Sequence, residues 1–575
     1  MHNKTRIYSL PSLKVMPNAW DLVAFLLVLL MLLALAYAGA KMRMPFHLGE
    51  PIHISLSPTA LPFYALQTVV RMFVALFLSF IFSLGVGALA AKNERAGKLL
   101  IPLIDILQSV PILGYLSVTL AAFISLFPNS LLGPECAAIF VVFTSQVWNM
   151  TLSVYQSLRT VPNELREATV IYRLSSWQRF WRLEVPFAVP GLLWNAMMSM
   201  SGGWFFIVAA EAISVANQTI TLPGMGSYIA LAIATQNLHA IFYAIAAMLI
   251  VIFLYDQLMF RPLVAWSQKF RLGDMPDEEA ESWVLNIFQR ARVTRLALDF
   301  LHECWEKVIQ IRWPWLTAPH ISIPKVPSRV TDWFWYSGIF GLAVLFVLGL
   351  WKMVYVNVPF AETWSVIVLG SLTALRVFVL ILLCSLLWVP IGVRVGLNVK
   401  ASRIVQPIAQ FLAAFPANLF FPIFVVIILH FHLNVEIWTA PLMVLGTQWY
   451  ILFNVIAGAS SIPKELKLAA MNMNLKGWLV WKRFLLPAIF PYYLTGAITA
   501  AGGAWNASIV AEVINWGSIT LRAHGLGAYI AENTVQGCFA QITLGVVVMC
   551  VWVTLINLLF WRRLYRFAEE RYRMG

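Results

Sequence analysis

Apolar residues run through this chain in long stretches separated by shorter polar, basic intervals. Runs of about 18 or more apolar residues are long enough to cross roughly 30 Å of hydrocarbon as a helix. They predict about twelve spans, near residues 20–40, 62–91, 100–127, 135–158, 187–213, 238–262, 334–356, 363–394, 404–430, 436–459, 488–513 and 540–562. Two polar intervals match each other. Pro162 and Pro463, Pro186 and Pro487, and Pro190 and Pro491 are each 301 residues apart, and so are Trp148 and Trp449, Glu211 and Glu512, and Gly226 and Gly527. Upstream the separation is 305, pairing Arg71 with Arg376, Gly87 with Gly392 and Pro111 with Pro416. The fold class is therefore all-α and polytopic: two parallel repeats of six spans, each half interrupted by a short helix lying outside the bilayer.

Between the repeats the pattern changes. Residues 263–333 are charged, with Trp283, Ile287, Phe288, Ala291, Leu296, Phe300 and Leu301 at loosely helical spacing and Arg290, Arg292 and Arg295 interleaved. This reads as a linker carrying an amphipathic helix, suited either to a membrane surface or to a partner. A proline-spaced connector follows from Pro314 to Pro327. The domains are then 1–262, a first half of six spans; 263–333, the linker; and 334–575, a second half of six spans.

Composition agrees with a bilayer protein: of 575 residues, 60% are hydrophobic and 11% charged. The net charge of +14 marks topology rather than nucleic-acid binding, because the basic residues flank apolar runs in alternate loops. That asymmetry places both termini and both matched polar intervals in the cytoplasm. The run from Leu22 to Ala40 has full spanning length and reads as a retained helix, not a cleaved signal. Five scattered cysteines without a CxxC indicate neither a disulfide framework nor zinc, and His430 and His432 lack a carboxylate at metal-site spacing.

No GxxxxGK[ST] loop is present, so the chain does not hydrolyse ATP, and no catalytic constellation appears. The residues that stand out are intramembrane. Gly202, Gly203 and Trp204 match Gly502, Gly503 and Trp505 only loosely in order, near the middle of the fifth span of each half. Small residues there serve close helix packing, or else a solute cavity on the axis between the halves, lined by both tryptophans. Glu211 and Glu512, near the outer ends of those spans, suit gating or capping. Arg71 and Arg376 fall about 9 Å outward of the bilayer centre at 1.5 Å per residue. They either form a positive rim for an anion, or snorkel, or pair with Glu211 and Glu512.

The matched polar intervals resemble the EAA loop of ABC importer permeases, whose pattern is Glu-Ala-Ala, three residues, Gly, then nine residues before Ile-x-Leu-Pro. Here the first copy reads Glu167, Ala168 and Thr169 with Pro186, and the second Leu468, Ala469 and Ala470 with Pro487. Arg71, Arg376, Pro111, Pro416, the paired tryptophans and Gly224-Met225-Gly226 with Gly525-Leu526-Gly527 narrow the likeness to the nitrate, sulfonate and taurine type. The resemblance implies two cytoplasmic ABC ATPase subunits carrying ATP and Mg, with no cofactor in this chain, and an extracytoplasmic solute-binding protein. It implies coupling through Glu164, Glu167, Ala168, Thr169, Arg173, Trp177 and Pro186 in one copy. In the other it implies Glu465, Leu468, Ala469, Ala470, Asn474, Trp478 and Pro487. Two departures stand out: the family glycine is Arg173 in one copy and Asn474 in the other, and the glutamate is Leu468 in the second. The halves are therefore expected to couple differently. The rival reading is an ion-driven secondary transporter of twelve helices, against which stands the long polar interval before the fifth span of both halves.

Overall fold

The computed structural model describes residues 18–42, 52–108, 110–215, 218–270, 282–310, 328–474 and 476–572. The Pro314 to Pro327 connector lies outside them. The first half runs α1 (Ala19–Lys41), α2 (Leu61–Lys92), α3 (Glu94–Leu107), α4 (Leu116–Leu126), α5 (Leu132–Arg159), α6 (Asn163–Ile171), α7 (Ser176–Arg179) and α8 (Val185–Glu211). A hairpin of β1 (Ala212–Val215) and β2 (Gln218–Thr221) leads to α9 (Met225–Ala234), α10 (Leu238–Tyr255) and α11 (Arg261–Ser267). The linker holds α12 (Trp283–Arg290) and α13 (Arg292–Gln310). The second half repeats the order with α14 (Ser328–Asn357), α15 (Phe360–Gly396), α16 (Val399–Ala414), α17 (Phe421–His430), α18 (Val435–Trp438) and α19 (Gln448–Ser460). It continues through α20 (Lys464–Asn472), α21 (Trp478–Val480), α22 (Leu486–Ala511), β3 (Val513–Trp516), β4 (Ile519–Arg522), α23 (Leu526–Gln536), α24 (Phe539–Ile556) and α25 (Arg562–Tyr572).

The fold departs from the expected architecture in two ways. Among the described residues, eight helices are long and apolar enough to cross a membrane, or eleven if each of three bent pairs is one span, rather than twelve. The expected first crossing is α1, a helix of 23 residues from Ala19 to Lys41. The expected spans near 100–127, 404–430 and 436–459 are the bent pairs, turning by 88°, 76° and 45°. In the first two, Pro111 and Pro416 stand between the helices with extended backbone. A proline has no N–H to continue the ladder and pushes its predecessor out of helical geometry. The all-α expectation also misses two antiparallel hairpins, in register Ala212 with Thr221 and Val513 with Arg522. They reverse the chain after α8 and α22, and the β-branched Val513, Ile514, Ile519 and Thr520 of the second favour that pairing.

The repeat extends to local chemistry. Asn93 and Asn398 cap α3 and α16 alike, each side-chain oxygen accepting from two backbone N–H groups of the first turn. One π turn, Phe180–Glu184, precedes Pro186, and its counterpart Trp481–Leu485 precedes Pro487. The extra residue in each turn absorbs the donor that the proline lacks. Gly87 and Gly392 let α2 and α15 approach α5 and α19: a Cβ on either would sit 2.9 Å or 2.8 Å from the side chain of Val154 or Val455.

The chain divides into two compact units, the first formed by Met1–Ala40, Gln156–Trp194 and Leu254–Ile321, the second by Lys41–Tyr155, Asn195–Phe253 and Ser322–Gly575. In the first unit, α12 packs Ile287 and Ala291 against Ala24 of α1. In the second, Ala409, Leu452 and Ile456 form a core with Trp388 and Trp449 packed on it.

Candidate functional site

Two constellations recur once per half. The first is a buried ionic cluster. On α2, the Arg71 guanidinium donates from Nε and Nη2 to both oxygens of Glu135 at 2.6 and 2.7 Å, and from Nη1 to Glu211 Oε1 at 2.6 Å. All three side chains are buried. Thr68 Oγ1 donates to Glu211 at 2.7 Å, and the backbone N–H of Gly226 donates to its other oxygen at 2.7 Å. The two carboxylates and the guanidinium thus occupy one another's bonding sites, which is the condition for burying charge at all.

The glycines at the start of α9 make this possible. A Cβ on Gly224 would lie 2.4 Å from the Glu211 carboxylate, and one on Gly226 would lie 2.1 Å from the carbonyl oxygen of Val208. Gly525 and Gly527 stand equally close to Glu512 and Ser508, at 2.2 and 2.4 Å. Gly-x-Gly is therefore a cradle closed over a carboxylate.

The second copy is looser. Arg376 pairs with Glu436 through Nη2, but its Nη1 is 3.2 Å from Glu512 and also donates to the carbonyl of His524 at 2.7 Å. Thr373 donates to Glu512 at 2.9 Å, and Ala528 N–H at 3.1 Å. The Arg376 side chain is 16% exposed. His524, where the first copy has Pro223, is itself exposed and bonds Glu436 through its ring and its backbone N–H. Beside this cluster Tyr529 donates to Glu362 at 2.7 Å, and burial, with that carboxylate, pushes its phenol well above its ordinary value.

Of the arrangements open in the sequence for Arg71 and Arg376, the internal ion pairs are the ones formed. Sequence reasoning missed Glu135 and Glu436, and also Thr68 and Thr373. The signal was available: the glutamates are 301 apart and the threonines 305, the spacings of the repeat itself.

Trp204 and Trp505, for which the sequence leaves packing and cavity lining open, are both buried. The glycine pairs divide in two. Gly203 and Gly503 are close-packing positions, where a Cβ would meet Gln146 and Met72 at 3.1 Å, or Thr447 at 2.4 Å. Gly502 has nothing within 4 Å, and Gly202 has only the Tyr450 hydroxyl at 3.7 Å. Open space lies beside both. Across this region Asn418 Nδ2 donates to the carbonyl of Phe205, Gln410 approaches Met197, and Asn506 accepts from Ile112 N–H at 2.7 Å. Asn418 Oδ1 and Thr447 Oγ1 have no hydrogen-bond partner among the described residues.

The second recurring constellation is the pair of polar segments. Each folds as a nine-residue helix after a proline, α6 after Pro162 and α20 after Pro463. Glu164 and Glu167 are exposed on α6, with Ala168 half-buried and Thr169 buried; on α20, Glu465, Leu468 and Ala469 are exposed and Ala470 is buried. Arg173 and Asn474, where the family pattern has glycine, both take positive φ, 52° and 51°. That is the left-handed residue ending a helix, and Leu174 N–H reaching back to Thr169 O at 3.0 Å completes the cap. The tips are apolar and uncovered: Val170, Ile171 and Tyr172 in one, Met471 and Met473 in the other. The flanks differ. Trp478 is 71% exposed. Its counterpart Trp177 is half-buried and donates to the carbonyl of Val308 on α13, while Trp181 packs edge-on against Trp305 at 4.8 Å.

A family model described as "Binding-protein-dependent transport system inner membrane component" matches residues 83–261 and 388–571. The chain belongs to this family and carries its permease domain twice. It is a multi-pass inner-membrane permease component of an ABC transporter and not itself the ATPase. Curated relatives are distant. It is 27% identical to the nitrate import permease protein NrtB of Synechocystis sp. over 29% of this chain and 53% of that one. It is 25% identical to the bicarbonate transport system permease protein CmpB of Synechococcus elongatus over 34% and 64%. It is 25% identical to the trimethylamine N-oxide transport system permease protein TmoV of Pelagibacter ubique over 36% and 26%. The matched region thus spans between a quarter and two thirds of these relatives' own length.

Proposed function

We propose that this permease forms the whole translocation pathway of an ATP-driven importer of a small anion, from two permease halves, 1–262 and 334–575, joined by the linker 263–333. The observation that carries the proposal is the duplicated docking element: helix, left-handed turn and uncovered apolar tip, at α6 and again at α20. An exposed apolar tip ringed by charge suits a groove on a partner, which seats the apolar side chains while the charges stay in water. Two cytoplasmic ABC ATPases, holding ATP and Mg, occupy these tips and convert closure into a rigid push on α8 and α22. Both termini then face the cytoplasm, and an extracytoplasmic solute-binding protein delivers the solute.

The names of NrtB and CmpB specify nitrate and bicarbonate, which supports a small oxyanion. The name of TmoV widens the class to a small neutral dipole. Selectivity does not rest on Arg71, whose donors are taken up by Glu135 and Glu211. The solute passes instead beside Gly202 and Gly502, among neutral polar groups such as Tyr450, Thr447 and Asn418. Proteoliposomes holding the permease with its ATPase pair should take up a labelled anion only with ATP and binding protein present. Uptake driven by an ion gradient without any ATPase would replace this reading with secondary transport.

A further inference from the structure

We infer that the linker helix α13 lies in the membrane–water interface, with one flank seated in the lipid. The helix is anchored at both ends. At its start, the Asp21 carboxylate of α1 accepts the Val293 N–H at 2.7 Å, Asn18 donates to the Arg290 carbonyl at 2.9 Å, and Arg290 lies over the Trp20 ring. Near its end, Arg182 pairs with Glu306 at 2.5 Å and Trp181 packs on Trp305. Both anchors belong to the point where an apolar helix begins: α1 at Ala19, and the run through α7 into α8 at Ser176. A helix of 19 residues is about 28 Å long, and one tied at both ends to the mouths of apolar helices runs along the surface rather than through it.

The faces of α13 agree. At about 100° per residue, Trp305, Glu306 and Ile309 share the flank turned to the Trp177–Arg182 segment. Val293, Leu296, Phe300, Leu301 and Val308 fall on the next arc, with Lys307 among them, and all are exposed, Phe300 at 65% and Leu301 at 61%; a lysine there reaches the headgroups while its stem stays on the apolar side. Asp299 and Glu303 occupy the remaining side. An open apolar arc of this width needs a nonaqueous neighbour. Lipid is the occupant because the helix to which α13 is tied is itself apolar and open: Leu22, Phe25, Leu26, Leu29 and Leu30 of α1 are exposed too. Charge points the same way. Arg290, Arg292 and Arg295 gather at the N-terminal end of α13, where the helix dipole is positive and repels them, and anionic headgroups relieve that repulsion.

This placement rests on the permease reading only for which leaflet is involved, and its test does not depend on transport. Single cysteines at Phe300, Leu301, Asp299 and Glu303 in the full chain, with native cysteines replaced, are spin-labelled in vesicles of phosphatidylcholine and phosphatidylglycerol. Labels at 300 and 301 should relax several-fold more with oxygen than with a water-soluble nickel chelate, and labels at 299 and 303 the reverse. Labels at Val293 and Leu296 give the same reading if a Phe300 or Leu301 variant does not fold. Equal nickel access at all four positions would overturn the proposal. So would apolar-arc labels that stay nickel-accessible until purified ATPase is added, since that arc would then be a protein-docking face.

Discussion

Arg71 and Arg376 occupy matching positions, yet their removal should differ in cost. Arg71→Gln deletes a cation that makes three short bonds to Glu135 and Glu211, and leaves both carboxylates buried with fewer donors. Breaking a buried pair from one side costs about 3–5 kcal/mol, roughly a hundred- to a few-thousand-fold in the ratio of folded to unfolded protein. Arg376→Gln leaves Glu436 partly exposed and still bonded by the His524 ring and N–H, and it gives up a longer 3.2 Å contact to Glu512. That loss belongs with single charge-assisted hydrogen bonds, about 1.5–3 kcal/mol. Equilibrium or thermal unfolding of the purified variants in nanodiscs measures the difference. Arg71→Gln combined with Glu135→Gln should recover part of the loss, because the double change removes one of the two orphaned charges as well. If Arg71→Gln were as stable as the parent while its apparent affinity for the transported anion fell, the guanidinium would be a solute-binding group, and the reasoning from burial would fail.

The docking elements carry two further predictions. Arg173→Gly should stabilise by about 1 kcal/mol by relieving a left-handed residue, and Asn474→Gly by less, because asparagine tolerates that conformation; chemical denaturation reads both. Charge reversal at Glu167 and introduction of glutamate at Leu468 should each change ATP-driven uptake, and no change in either would remove these residues from coupling. In α22, Gly502→Leu should reduce uptake while leaving the melting temperature unchanged or higher, since the new side chain enters open space and replaces the poorest helix former save proline. Gly503→Leu, meeting Thr447, should instead lower the melting temperature. Coexpressed residues 1–270 and 330–575 should restore some uptake, because both matched family domains lie outside the missing segment.

The elements legible in the sequence share a physical feature: they are set by one-dimensional patterns. Spanning length and the proline-bounded polar intervals need only apolar runs and a fixed repeat spacing. The bends after α3 and α16 escape that reading, although Pro111 and Pro416 stand out in it, because apolar flanks on both sides of a proline read as one continuous span. The hairpins after Glu211 and Glu512 escape it for a related reason, being four-residue strands joined directly to long apolar helices. The ionic clusters demand a three-dimensional fact, that α2, α5, the end of α8 and the start of α9 converge. Glu135 stands at the very start of an expected span, where nothing in the pattern shows that, as the first-turn acid of α5, it faces Arg71. Gly-x-Gly likewise has no visible reason until the carboxylate under it is seen.

The two halves have diverged unevenly, and the pattern separates packing from coupling. What is retained is a mutually bonded set: arginine, two glutamates, threonine and the glycine pair, in which a single loss removes a partner from a buried carboxylate or drives a Cβ into that carboxylate or the backbone beside it. What has drifted lies on surfaces. Glu167 has Leu468 as its counterpart, Tyr172 has Met473, and Pro223 has His524. Fusion into one chain removes the need for the two proposed docking surfaces to be identical, since each copy always occupies the same place relative to the linker. The first segment has used that freedom: α13 covers Trp177 and Trp181, whereas Trp478 stays open. A partner seated on the first element therefore meets a surface already buttressed from one side, and a partner on the second meets a bare, methionine-rich one that adapts to its groove. Two ATPase subunits of identical sequence would have to bind both. The divergence accordingly predicts unequal affinities for the two elements, measurable as two distinct dissociation steps when purified ATPase is titrated onto the intact permease.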